Sequence, residues 1–272
     1  MGRGLFLEEY GLSLPTLARA TIDGLSEHFS QAPAETILEW ALDKFRGRIG
    51  YSCSFGAEGM VLIDMLSRNR QPPTIFTIDT GRLPQQTHDL IQAVRQRYGL
   101  TIHVYVPQAA AVQELVSLRG PNSFYESVAN RKECCHIRKV EPLERALRGL
   151  DAWITGLRRD QTPDRTRIRK IERDPGHGNI VKVMPLADWT WEDVWTYIRA
   201  NDVPYNKLHD SGYPSIGCAP CTSAVAAGED SRSGRWWWER EASKECGLHL
   251  TAEDGIGDRP RGENTALHEE DT

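Results

Sequence analysis

The chain has 272 residues and a formal net charge of −5, from 33 Lys and Arg side chains against 38 Asp and Glu side chains. A hydrophobic content of 39% is typical of a folded globular protein and excludes a disordered or fibrous chain. No apolar run reaches the roughly eighteen residues of a membrane-spanning helix, and the mild acidity gives no support for nucleic acid as a partner. We therefore expect neither a membrane nor a nucleic-acid partner.

Helices and strands alternate in the first half of the chain. Apolar residues at helical spacing and short apolar runs predict helix 35–45, strand 49–54, helix 60–66, strand 73–78, helix 85–98 and strand 101–106. This alternation indicates an α/β fold, a parallel sheet with helices on both faces. Ligands of such sheets bind at the carboxyl ends of the strands.

The second half continues with fewer elements. The sequence predicts helix 134–147, strand 153–155, a hairpin of 167–172 with 179–184, and helix 191–200 with Thr190 as its N-cap. We expect residues 1–30 to be an N-terminal extension and residues 31–249 to be a single domain. A mobile segment of about 228–249 would end that domain, and the acidic residues 250–272 would be disordered.

One segment between a predicted strand and a predicted helix suits an anion. It reads Ser54-Phe55-Gly56-Ala57-Glu58-Gly59, and we call it the anion loop. Small residues let backbone N–H groups approach a phosphate or sulfate, and a helix N-terminus adds positive potential. An ordinary tight turn is the alternative interpretation. The segment is not a Walker loop, because no Gly-Lys-Ser/Thr follows.

Four of the six cysteines come in two close pairs, Cys134-Cys135 and Cys218-Ala219-Pro220-Cys221, which we call the thiol cluster. The chain has no recognisable secretory signal, so we expect a cytoplasmic, reducing location in which such pairs hold a metal or an iron–sulfur cluster. Adjacent cysteines are awkward ligands for one zinc ion, which favours the cluster without excluding zinc. Burial as small apolar residues is the remaining alternative.

A fifth cysteine, Cys246, lies between Lys244 and His249. These neighbours would lower its pKa and make it a nucleophile, or it is a spare surface cysteine. Arginines suited to bidentate recognition of phosphate or sulfate are scattered before it, although part of this set is a solvated face. They are Arg158, Arg159, Arg165, Arg167, Arg169, Arg232 and Arg235.

Order and spacing together resemble the assimilatory adenylylsulfate (APS) reductases, the cluster-bearing, thioredoxin-dependent branch of the PAPS reductase superfamily. The resemblance covers roughly residues 35–249. Its motifs are the anion loop, Thr80-Gly81-Arg82-Leu83, Cys134-Cys135 with Arg138-Lys139, Thr155-Gly156-Leu157-Arg158-Arg159-Asp160-Gln161, Cys218-Ala219-Pro220-Cys221, residues 232–237 and Glu245-Cys246-Gly247-Leu248-His249.

The resemblance implies an adenine nucleotide α-hydrolase-like fold and an oxidoreductase of sulfate assimilation and cysteine biosynthesis. APS would be reduced to sulfite and AMP through an S-sulfocysteine on Cys246, with thioredoxin or a glutaredoxin-like protein as reductant. One [4Fe-4S] cluster per chain would be held by Cys134, Cys135, Cys218 and Cys221. A homo-oligomer is also plausible from the family.

The expected substrate-binding residues are Ser54, Phe55, Gly56, Ala57, Glu58, Thr80, Gly81, Arg82, Leu83, Lys139, Gly156, Arg158, Arg165, Arg232, Arg235 and His249. Gly59 stands where many family members carry an acidic residue, so its role is open. Three alternatives remain: the same chemistry on 3′-phosphoadenylylsulfate (PAPS), a pyrophosphate-loop ATPase or sulfurtransferase, and a zinc-binding interaction module.

Overall fold

A computed structural model of the chain describes residues 19–226 and 228–239. Its α-helices are α1 (Arg19–His28), α2 (Ala34–Lys44), α3 (Ala57–Ser67), α4 (Gln85–Tyr98), α5 (Ala109–Arg119), α6 (Val128–Cys135), α7 (Glu141–Leu147) and α8 (Trp191–Ala200). Its strands are β1 (Ile49–Ser52), β2 (Thr74–Ile78), β3 (Ile102–Tyr105), β4 (Ala152–Ile154), β5 (Ile171–Asp174) and β6 (Ile180–Val183). None of the described helices has the length and hydropathy needed to cross a bilayer.

The six strands form one sheet in the order β3-β2-β1-β4-β6-β5. β1 pairs in parallel with β2 on one side and with β4 on the other, so the strand order reverses at β1. β5 is antiparallel to β6, which confirms the predicted hairpin. β5 begins only at Ile171, because the chain before it turns and Ile168 donates to the carbonyl of Arg165. A ligand site is expected where the order reverses.

Helices cover both faces of the sheet, as predicted. On one face α2, α3, α4 and α8 bury apolar side chains such as Ile37, Met60 and Val194 against the strands. On the other face α7 packs Leu143 and Leu147 against Phe76 and Trp153. Two side chains from the predicted N-terminal extension, Ile22 and Phe29, belong to the larger core.

The helix predicted over 134–147 is interrupted. α6 ends at Cys135, a π-helical turn spans His136–Val140, and α7 begins at Glu141. Pro142 provides the physical reason, because it has no N–H to donate and its ring would clash with the carbonyl four residues earlier in a regular α-helix. The wider turn also changes the direction of Lys139 relative to Cys135, four residues earlier in the chain, from the direction it would have in a regular α-helix.

The predicted N-cap of α8 is confirmed. The Thr190 hydroxyl accepts the N–H of Asp193 at 3.1 Å, and the Asp193 carboxylate accepts the N–H of Thr190 at 2.8 Å. This reciprocal pair is a capping box.

Two helical segments were not expected from the sequence, namely α5 and the first part of α6. Both pack few apolar side chains into the core.

Candidate active site

A cavity of about 350 Å³ opens at the carboxyl end of the sheet. Ser54, Thr80 and Gly156, which follow β1, β2 and β4, all line it. The cavity therefore lies where the strand order reverses, as an α/β sheet predicts.

The anion loop forms the turn from β1 into α3. Gly56 is the N-cap of α3, and no side chain caps the helix there. The first N–H groups of a helix have no intrahelical acceptor, and they carry the positive end of its dipole. Gly56, Ala57 and Glu58 line the cavity, so this end of α3 is suited to a phosphate or sulfate group.

Phe55 is the member of the anion loop whose side chain turns away from the cavity. Its backbone is left-handed (φ 57°) and its ring is fully buried in the larger core. The Phe55 N–H donates to Cys53 Sγ at 3.4 Å. Its side chain thus anchors the loop, and Phe55, although predicted to bind substrate, does not line the cavity.

Glu58 joins the anion loop to the segment after β4. Glu58 Oε1 accepts from Arg158 Nε at 2.9 Å and from Gln161 Nε2 at 2.9 Å. A Cβ atom on Gly156 would lie 3.1 Å from the Cβ atom of Glu58, so the two segments approach closely at this glycine. The Glu58 carboxylate thereby orients Arg158 and offsets part of its charge.

The cavity is lined by cations, most of them buried. They are Lys139, Arg158, Arg165, Arg232 and Arg235. The carboxylates of Glu58 and Asp160 line the same cavity. Cationic side chains therefore outnumber carboxylates, which favours an anionic ligand.

Arg235 is held rigidly at the rim. Its Nε donates to the carbonyl of Cys221 at 3.3 Å, and its guanidinium stacks on the Trp236 ring at 4.9 Å. A Cβ atom on Gly217 would lie 2.2 Å from the Arg235 guanidinium, so the absence of a side chain at Gly217 leaves room for the Arg235 guanidinium. A fixed guanidinium binds oxyanions with little loss of side-chain entropy.

The thiol cluster comes together next to this cavity. Cys135, Cys218 and Cys221 are buried with Phe124 and Trp236, and Cys134 packs against them. Lys139 lines both the cavity and the recess between the thiols, so it connects the two. In the part of the chain that the structure describes, no three His, Cys, Asp or Glu residues are arranged to hold a single metal ion.

The surroundings of the thiols fit a sulfur-rich anionic group. Two buried donors, Arg138 Nε and Trp236 Nε1, have no hydrogen-bond partner among the described residues. Both residues line the recess between the thiols, where cluster sulfides or thiolates would accept such donors. The donor set and the four cysteines therefore fit a cysteine-ligated iron–sulfur cluster.

The thiols differ in their acidity. Burial raises the pKa of Cys221 to about 12, and the neighbouring Cys218 and Cys135 add to this effect. Burial also opposes ionisation of Cys218, but Lys139 and the Thr80 hydroxyl, 3.2 Å from its Sγ atom, bring its pKa below the usual value. Cys218 is thus the more acidic of these two thiols.

The structure separates some predicted site residues from the cavity. Arg82 donates to the carbonyl of Pro121 and stacks on Phe124, 5.0 Å away, and Gly81 makes a left-handed turn (φ 70°) beside Arg138. Thr80 and Leu83 do line the cavity. Cys246 and His249 lie outside the described residues.

Other lining residues were missed by sequence reasoning. They include Gln161, Trp191, His209 and Ser215. The Gln161 position was inside a quoted motif, but its hydrogen bond to Glu58 crosses a long stretch of chain and leaves no local signal. His209 carries no motif at all.

Comparison with known proteins identifies the family of this chain. The family described as phosphoadenosine phosphosulfate reductase domain matches residues 48–224. The chain belongs to this family. Adenosine 5′-phosphosulfate reductase from Allochromatium vinosum is 52% identical over 201 residues, which are 74% of this chain and 78% of that protein.

Relatives of lower sequence identity support the same family assignment. The chloroplastic 5′-adenylylsulfate reductase 3 of Arabidopsis thaliana is 46% identical over 83% of this chain, and the match spans 50% of that longer protein. The crystal structure of phosphoadenylyl-sulfate (PAPS) reductase from Candida auris, a phosphate complex, aligns with a TM-score of 0.67 and 33% identity, covering 78% of this chain and 99% of that one. The predicted adenine nucleotide α-hydrolase-like fold is thereby confirmed.

Proposed function

We propose that the chain reduces APS to sulfite and AMP in sulfate assimilation. The observation that carries the proposal is a cation-lined cavity at a helix N-terminus, joined through Lys139 to four clustered thiols. The relatives that match at about half identity are named for the same reaction. APS carries a phosphate and a sulfuryl group, which suits both the helix end and the cations.

We further propose that Cys134, Cys135, Cys218 and Cys221 hold one [4Fe-4S] cluster per chain. When bound, the cluster supplies structural order and a fixed electrostatic field beside the substrate. Arg138 and Trp236 would donate to its sulfur atoms through Nε and Nε1, and Lys139 would face both the cluster and the substrate.

The reacting group in this proposal is the Cys246 thiolate. It attacks the sulfuryl sulfur, an S–S bond forms, the bond from sulfur to the phosphate oxygen breaks, and AMP leaves with the electron pair. Lys139, Arg232 and Arg235 offset the negative charge that gathers on the substrate and the leaving group. The product is an S-sulfocysteine on the chain.

A dithiol protein completes the reaction. One thiolate of reduced thioredoxin, or of a glutaredoxin-like protein, attacks Cys246 Sγ and sulfite leaves with the electron pair. The second thiol of the reductant resolves the mixed disulfide, so Cys246 is restored and the dithiol is oxidised. A cytoplasmic setting supplies such a reductant, and a homo-oligomer is compatible with this cycle.

Labelling tests the covalent step. Incubation with APS labelled in the sulfuryl group, without reductant, should place label on the wild-type chain and none on Cys246→Ser. AMP should appear in the same proportion as the label. Label retained by Cys246→Ser would remove this cysteine from the mechanism.

Metal analysis tests the cluster independently. The purified protein should be brown and contain about four iron atoms and four acid-labile sulfides per chain. Cys218→Ser should lose both, whereas Cys53→Ser, a buried cysteine outside the thiol cluster, should keep them. Zinc without iron would contradict the cluster.

A further inference from the structure

Where β1 meets the anion loop, Tyr51, Cys53 and Gly59 line the cavity and also make contacts with one another for which the proposed reaction has no role. Tyr51 and Cys53 are two positions apart on β1 and its extension, so both face the first turn of α3. Tyr51 Oη donates to the carbonyl of Gly59 at 2.8 Å, and Cys53 Sγ lies 3.8 Å from the same carbonyl oxygen. Both side chains are buried.

Cys53 also supports the strained part of the loop. Its Sγ accepts the N–H of Phe55, whose left-handed φ of 57° is unfavourable for a residue with a side chain. Burial raises the pKa of Cys53 to about 11, so the thiol keeps its proton and donates to Gly59 while it accepts from Phe55. One thiol thus ties both ends of the loop together.

Gly59 is explained by this close approach. A Cβ atom there would lie 3.2 Å from Cys53 Sγ and 3.6 Å from Tyr51 Oη. Gly59 is inside α3, where alanine is intrinsically more favourable than glycine. A methyl group here would therefore press on the contact between strand and helix, although the backbone at Gly59 needs no unusual conformation.

We infer that Tyr51, Cys53 and Gly59 are positioning residues that fix the first turn of α3 against β1, so that its backbone N–H groups face the phosphate of a bound nucleotide. They act through the anion loop and need not touch the reacting atoms. This inference rests on the proposed function, in which AMP is the leaving group.

The first test compares AMP with adenosine, which lacks the phosphate. Calorimetric titration of the full chain should show that Tyr51→Phe weakens AMP binding about three- to tenfold, the loss of one hydrogen bond. Adenosine binding should change far less. Tyr197→Phe is the matched control, because its hydroxyl bonds to Asp64 at 2.8 Å outside the cavity, and it should bind both ligands as the wild type does.

The outcomes separate the two hypotheses. A wild-type chain that binds no AMP would overturn the proposed function and this inference with it. A wild-type chain that binds AMP, with Tyr51→Phe binding it equally well, would overturn the inference alone. Equal losses of affinity for AMP and adenosine would also overturn the inference, because general damage to the cavity would then explain both losses.

The second test uses the space at Gly59. Gly59→Ala should lower both AMP affinity and the melting temperature, although helix propensity alone predicts a higher melting temperature. Cys53→Ala removes the atom that the new methyl group would meet, so the effect of Gly59→Ala should be several-fold smaller in that background. Unchanged affinity in Gly59→Ala, or losses that simply add in the double variant, would overturn the inference.

Discussion

Lys139 is shared by the two parts of the candidate site. It is buried, and it lines both the substrate cavity and the recess between the thiols. The motif Arg138-Lys139 made it predictable from the sequence. The π-helical turn that sets the direction of the Lys139 side chain was not predictable, because it depends on how the helix adjusts to Pro142.

Replacing Lys139 should reduce catalysis more than binding. A preorganised charge at a reacting centre contributes about 10²- to 10³-fold to the rate, so Lys139→Ala should lower kcat/KM for APS by about that factor. Lys132→Ala, an exposed lysine in α6, should change it little. Iron content should match the wild type in both variants. A full rate in Lys139→Ala would contradict its role.

No sequence motif pointed to His209, but its hydrogen bond in the structure defines which ring nitrogen carries the proton. Nδ1 bonds to the carbonyl of Tyr213 at 2.8 Å, so the ring proton is assigned to Nδ1 and Nε2 is an acceptor. Burial lowers the pKa of His209 below its usual value. The unfolded chain, with a normal histidine pKa near 6.5, binds the proton more readily.

Stability should therefore depend on pH through His209. The contribution of the neutral ring is complete above the unfolded pKa and is lost as the pH falls through the folded pKa. Urea unfolding should show a larger drop in free energy from about pH 7.5 to about pH 5.5 for the wild type than for His209→Gln. His103→Gln, an exposed histidine in β3, should behave as the wild type. Equal drops in all three proteins would contradict this account.

At the scale of elements, the strands and the long helices followed from the sequence. Buried strands such as β2 are short apolar runs, and α4 has the predicted bounds of 85–98 because Pro84 precedes it and the left-handed Gly99 ends it. α5 did not follow, because it is largely exposed and buries only Leu115. Without an apolar face, a surface helix has no periodic signal.

The capping box of α8 gives a prediction at this scale. Thr190→Ala removes the acceptor for the Asp193 N–H and should lower the free energy of unfolding by about 1 kcal/mol. Thr101→Ala, at an exposed position before β3, is the control. Chemical denaturation of both variants measures the difference. An equal, small effect in the two would show that the cap contributes nothing.

At the scale of the whole molecule, the sequence predicted which segments lie together at the cavity, but not how their individual side chains are placed there. Parallel strands place the loops after β1, β2 and β4 at one edge, so the meeting of Ser54, Thr80 and Gly156 was expected. The separation of Arg82 and of the Phe55 side chain from the cavity was not, because it depends on individual backbone angles and packing partners. Net charge was uninformative, since the cations gather at one cavity in a mildly acidic chain.

In the proposed reaction, this family member reduces APS with Cys246 as the nucleophile. The most direct measurement is sulfite release by reduced thioredoxin with APS and PAPS compared side by side, for the wild-type chain and for Cys246→Ser. We predict rapid release from APS, much slower release from PAPS, and none from either substrate with Cys246→Ser. Faster release from PAPS, or sulfite formation by Cys246→Ser, would contradict the account.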